Sequence, residues 1–205
     1  MATATVPADV DHDHGHDPHA TNTGISNNKL AMWLFLGTEC LLFGGLISTY
    51  LLYKTRGNGE VLPTDIFDIP FTSVSSFVLL MSSLTMVLAL SAVARGEMDR
   101  GKAWLLVTAM LGGVFIGGQV YEFTSFYREG LGYTTNPAAS AFYTLTGFHG
   151  VHVALGIVML ASLWYMSHAG RLTQKNAETV EIVGLYWHFV DIVWIVIFGI
   201  VYLIP

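Results

Sequence analysis

Five stretches of this chain are too long and too apolar to be core helices of a water-soluble domain. They run over approximately 30–53, 71–94, 103–127, 138–167 and 182–204. About 20 apolar residues in a helix suffice to cross a hydrocarbon core of ~30 Å, and each stretch supplies them. Inside lipid every backbone amide must find a partner within the chain, so all five are expected to be helical. The predicted fold is all-α: a polytopic membrane protein whose residues 29–205 form a bundle of five transmembrane helices behind a His/Asp-rich tail, 1–28.

Composition agrees with that placement. Of 205 residues, 53% are apolar and 12% charged, about half the charged fraction of a soluble domain. The net charge of −6 comes partly from Asp9, Asp11, Asp13 and Asp17, and nothing in the sequence suggests nucleic acid as a partner. Cys40 lies within an apolar block, where it forms no intrachain disulfide and is given no role. The tail carries neither the basic start nor the short apolar core of a signal peptide, so no cleaved leader is expected. Its run DHDHGHDPH, residues 11–19, could bind metal, but a solvated tail is the preferred reading because no apolar residue pins it. No internal repeat is evident, and 54–70, with Gly57, Gly59, Pro63 and Pro70, is a turn-rich connector.

Lys and Arg set the orientation. One side holds Lys29, Arg95, Arg100, Lys102, Arg171 and Lys175, the other Lys54, Arg56 and Arg128, which places the N-terminus in the cytoplasm and the C-terminus outside. Trp33, Tyr53, Trp104, Tyr127, Trp164 and Tyr202 lie near segment ends and are expected in interfacial belts. Ser75, Ser76, Ser82, Ser83 and Thr85 of the second segment are expected to act as helix-packing glue. Gly44, Gly45, Gly112, Gly113, Gly117 and Gly118 open flat faces for close helix approach.

An ionisable side chain inside a membrane costs at least a few kcal/mol, so each is a functional candidate that needs a partner. Glu39, Glu122, His149, His152, His188 and Asp191 are such residues. At ~1.5 Å per residue, Glu39 and Asp191 lie about 14 Å from the cytoplasmic edge, and His149 reaches the midplane. GFHGVH (147–152) and WHFVD (187–191) each carry a polar pair at i and i+3, on one side of a helix. Glu39, His149, His152, His188 and Asp191 are therefore expected to face the bundle interior and to bond across helices as one polar layer. Glu122 is expected close to the outer interface, as an anchor or as a functional acid. Three imidazoles and two carboxylates could ligate zinc or iron, but buried imidazole–carboxylate hydrogen bonds are the commoner outcome, and no metal is expected. Two of the three intramembrane His share one helix, three residues apart, which is no haem-binding constellation, and no copper-binding constellation is evident.

Taken in order, LAMWLFLGTECLLFGGLISTYL, GQVYEF, SAFYTLTGFHGVHVALG and LYWHFVDIVWIVIFGIVYL resemble the third subunit of haem–copper terminal oxidases, from about Lys29 to the C-terminus. The resemblance implies an accessory subunit of a proton-translocating cytochrome c oxidase. Such a subunit packs on the catalytic subunit I, with subunit II and further small subunits nearby. It carries no redox cofactor, since haem and copper reside in the partners, and it supports proton uptake and binds phospholipid in a cleft. It resides in the bacterial cell membrane. Glu39 matches the family's membrane-buried glutamate, and His149, His152, His188 and Asp191 match its HGxH and WHFxD positions. Longer members have two further helices before the first one seen here, so the arm closing the lipid cleft is absent from the match. Two alternatives stand beside this reading: the equivalent subunit of a quinol oxidase, and an independent proton or ion transporter. No inverted repeat and no pair of Gly/Pro-broken helices supports the latter.

Overall fold

The computed structural model describes residues 26–55 and 68–204. The His-rich run of the tail and most of the 54–70 connector lie outside the described residues. Five helices cross the molecule in alternating directions: α1 (Asn27–Lys54), α2 (Ile69–Ala94), α3 (Met98–Arg128), α4 (Pro137–His168) and α5 (Ala177–Phe198). α5 continues into a widened π-turn, Gly199–Leu203. Each is long and apolar enough to span a bilayer, and no strand occurs among the described residues.

The helices overrun the apolar stretches because capping chemistry, not hydropathy, ends them. Ser26 accepts from the Lys29 amide at 3.3 Å, Asp68 from Phe71 at 3.2 Å and Asn136 from Ala139 at 2.6 Å. Pro70 and Pro137 sit in first turns, where a missing N–H costs nothing. α2 ends at Gly96 (φ 80°) and α3 at Gly130 (φ 90°), whose left-handed backbone lets the next amide reach back to a carbonyl of the last turn: Glu97 to Ala92 and Leu131 to Phe126, each 2.9 Å. In the short α2–α3 turn Arg95 and Arg100 bracket Glu97 at 3.1 and 2.9 Å. The Arg95 guanidinium, with Arg100 beside it, holds the Glu97 carboxyl below the usual range.

α5 is the hub. It packs on α2, α4 and α1, and Trp194 reaches Phe115 of α3 with ring centroids 4.8 Å apart. At the centre Trp187, fully buried, lies between Gly112 of α3 and Gly156 of α4 and donates its Nε1 proton to Ser82 of α2 at 2.9 Å. Four helices thus meet on one indole. Of the glycines expected to permit close approach, Gly112 and Gly118 do so inside the bundle, against Trp187 and Ser75, whereas Gly44, Gly45, Gly113 and Gly117 face open space. Many Leu and Val side chains are exposed around the bundle, the arrangement that lipid tails favour. One belt assignment is corrected: Tyr202 is buried at 5% exposure beside Glu122, because a position near a helix end fixes depth but not which way the ring points. Trp33 and Tyr127 are exposed.

Candidate functional site

The i, i+3 spacing sets neighbouring side chains about 60° apart around a helix, enough on α4 to send the two members of the motif to different neighbours. On α4, His152 turns toward α1 and His149 toward α3 and α5. On α5, His188 and Asp191 both turn toward α2. The expected single layer is divided into separate polar contacts.

The first contact is Glu39–His152. Nε2 of His152 lies 3.1 Å from the Glu39 carboxylate, and Nδ1 lies 2.8 Å from the Phe148 carbonyl oxygen. That carbonyl can only accept, so Nδ1 carries a hydrogen. The contact to Glu39 then needs one further proton, held by Nε2 or by the carboxyl group. The side chains are only 11% and 14% exposed. Phe43 packs against the pair in a T-shaped contact with the imidazole, ring centroids 5.1 Å apart, and Tyr186 of α5 donates to the His152 carbonyl at 3.0 Å.

His149 lies one turn away in an aromatic enclosure. Its ring stacks on Trp194 at 4.8 Å and meets Phe115 and Phe43 edge-on at 5.8 and 6.4 Å. It is fully buried, and neither ring nitrogen has a hydrogen bond among the described residues. The second polar contact joins α5 to α2: Nδ1 of His188 pairs with Ser83 Oγ at 2.6 Å. Asp191, 3% exposed, has Ser83 beside it, but among the described residues neither carboxyl oxygen makes a well-formed hydrogen bond. Ser83 has one hydroxyl proton and His188 is its nearer partner.

Glu122 lies near the far end of α3, as counting residues placed it, yet its side chain points into the bundle. It accepts from Thr72 Oγ1 of α2 at 2.7 Å and from the Tyr202 hydroxyl of the π-turn. Hydropathy alone could not give that direction. Sequence reasoning also passed over Gln119, which donates to the Thr146 carbonyl at 2.7 Å and fixes α3 on α4. The two tryptophans of α5 were missed as well. Their seven-residue spacing was the available signal: it repeats one face of α5, and Trp187 and Trp194 meet Ser82 and Ser76, the latter at 2.8 Å. Cys40 is exposed on α1. Among the described residues no group of three or more His, Cys, Asp and Glu could hold a metal ion.

These features define a class: a polytopic helical membrane protein whose intramembrane acids and imidazoles lie inside the bundle, against neighbouring helices. Residues 8–204 match the family described as cytochrome c oxidase subunit III, and the chain belongs to that family. The match takes in part of the His-rich tail. The chain is 40% identical to cytochrome c oxidase subunit 3 of Bacillus sp. (strain PS3) over 177 residues, 86% of each chain. It is 38% identical to the cytochrome bo(3) ubiquinol oxidase subunit 3 of Pseudomonas aeruginosa over 197 residues, 94% of this chain and 90% of that one. It is 37% identical to the quinol oxidase subunit 3 of Bacillus subtilis over 86% of each.

Proposed function

We propose that this chain is the accessory third subunit of a haem–copper respiratory oxidase in a bacterial cell membrane, with its N-terminus in the cytoplasm. The family match over nearly the whole chain carries the assignment. The chain stabilises a catalytic subunit that holds the haems and copper, supports that subunit's proton uptake, and contributes no redox centre itself. Supporting this division of labour, the buried acids and imidazoles tether helix to helix: Glu39–His152 joins α1 to α4, Ser83–His188 joins α2 to α5, and Glu122 joins α3 to α2. The relatives divide between cytochrome c and quinol as electron donor. We assign cytochrome c on the Glu39-bearing segment and the Thr-Gly-Phe-His run.

Affinity purification through a tag on this chain tests the reading. Haem absorbance should co-purify with oxygen consumption driven by reduced cytochrome c. Consumption driven only by quinol would transfer the chain to the quinol branch, and a preparation without haem would overturn the function.

A further inference from the structure

Asp191 is costly to bury, and the bundle gives it little in return. Its side chain is enclosed, and among the described residues neither carboxyl oxygen has a well-formed partner. The titratable groups of the surrounding helices are engaged elsewhere. Glu39 of α1 pairs with His152 of α4, His149 is stacked on Trp194, and Glu122 of α3 takes Thr72 and Tyr202. α2 sets Ser83 against Asp191.

Ser83 is bonded in turn to Nδ1 of His188 at 2.6 Å. His188 and Asp191 are separated by about 4.5 Å of rise on α5, so the hydroxyl lies between an imidazole and a carboxyl group. With Nδ1 held by Ser83, the half-buried ring exchanges protons through Nε2, and it lines a recess of about 190 Å³ between α2 and α5. Glu181, two turns nearer the start of α5, lines the same recess and pairs with Lys29 at 2.5 Å. A water needs roughly 10–15 Å³ of such space and polar groups to bond. The recess admits several, with a carboxylate at one end and an imidazole at the other. From the start of α5 inward the order is Glu181, recess, His188, Ser83, Asp191. Beyond Asp191 it stops. Among the described residues the next polar contact between α5 and α2 is Trp194 Nε1 to Ser76 at 2.8 Å, and an indole N–H donates but cannot accept a proton.

We propose that Asp191 is a proton reserve, loaded from the cytoplasmic side through the recess, His188 and Ser83. With hydrogen on Nδ1 and Asp191 ionised, Ser83 gives its hydroxyl proton to the carboxylate and takes the Nδ1 proton. Nε2 then takes one from water in the recess. One proton has moved from water to Asp191, Ser83 is unchanged, and the imidazole has exchanged tautomers, to be reset by turning of the ring. The dead end at Trp194 makes this a store rather than a leak across the membrane. Its service to a catalytic subunit rests on the reading of the chain as an oxidase subunit; the relay itself does not.

Infrared spectroscopy of the intact purified complex during transfer into heavy water tests it. The difference between parent and Asp191→Asn isolates the carbonyl stretch of the protonated Asp191 carboxyl group, and Asp191→Glu, which keeps an acid there, should shift that band rather than remove it. Exchange of the band should slow by roughly 100-fold in Ser83→Ala and in His188→Leu, the lower end of what a positioned proton-transferring side chain contributes. Ser83→Thr, which restores a hydroxyl, should recover the parent rate. Absence of a protonated-acid band sensitive to either Asp191 substitution would overturn the proposal, as would equal exchange rates in the parent, Ser83→Ala and His188→Leu. A preparation that carries the band and its fast exchange but no haem would overturn the function and leave the relay standing.

Discussion

A methyl group at Gly112 should disrupt the centre of the bundle, and a methyl group at the adjacent Gly113 should not. A Cβ on Gly112 would lie 2.6 Å from Cη2 and 3.0 Å from Cζ2 of Trp187, whereas carbon atoms rest about 3.5–4.0 Å apart. Something must retreat by roughly 1 Å. The indole has no free space, since it is fully buried, meets Gly156 on its other side and is tied to Ser82 at 2.9 Å. Overpacking of this kind costs about 1–3 kcal/mol. Alanine is itself the better helix residue by about 0.5–1 kcal/mol, a gain both positions share. Gly112→Ala should therefore be less stable than Gly113→Ala by about 1–3 kcal/mol, because a Cβ on Gly113 meets nothing within 4 Å. Unfolding of the purified protein by SDS titration, followed by helical circular dichroism, measures the difference. Trp187→Phe removes the clashing ring edge, so the double variant should recover part of the loss through a coupling of about 0.5–3 kcal/mol. Equal stability of Gly112→Ala and Gly113→Ala would refute the central role assigned to Trp187.

Two further substitutions probe the charged groups. Glu39→Gln keeps a donor for Nε2 of His152 and should stay within about 0.5 kcal/mol of the parent, whereas Glu39→Leu leaves that nitrogen buried and unpaired at a cost of about 1–3 kcal/mol. The same SDS titration decides between them, and equal losses would mean that the pair does not tether α1 to α4. Glu97, depressed in the folded state by Arg95 and Arg100, contributes stability that is fully present above the ordinary carboxylate pKa of about 4.3. That contribution is lost as pH falls through the lower folded-state value. Glu97→Gln should therefore flatten the decline in stability measured below about pH 5, and a decline identical to the parent's would exclude the Arg95–Glu97–Arg100 cluster as its source.

The existence of five helices was legible because hydropathy over 20 or more residues overrides local detail. Their ends were less so: α5 begins at Ala177, five residues before its apolar stretch, since Glu178 and Glu181 are tolerated near the membrane surface. Candidate residues could be named by depth, because rise along a helix is constant. Grouping them was another matter. His149 and His152 belong to one motif, yet one is stacked against Trp194 and the other is bonded to Glu39.

The sequence by itself determined the membrane-spanning class, the five helices, the family resemblance and the approximate depth of each ionisable residue, all of which depend on residue type and position along one axis. Only the tertiary structure decided direction around that axis: that Tyr202 and Glu122 point inward, and that Gly112 faces Trp187 while Gly113 faces outward. The physical reason is that hydrocarbon accepts apolar side chains on every face of a helix, so the hydrophobic pattern that reveals the inner face of a soluble helix is weak here. The inner face is chosen instead by close packing and by specific hydrogen bonds between helices far apart in the chain.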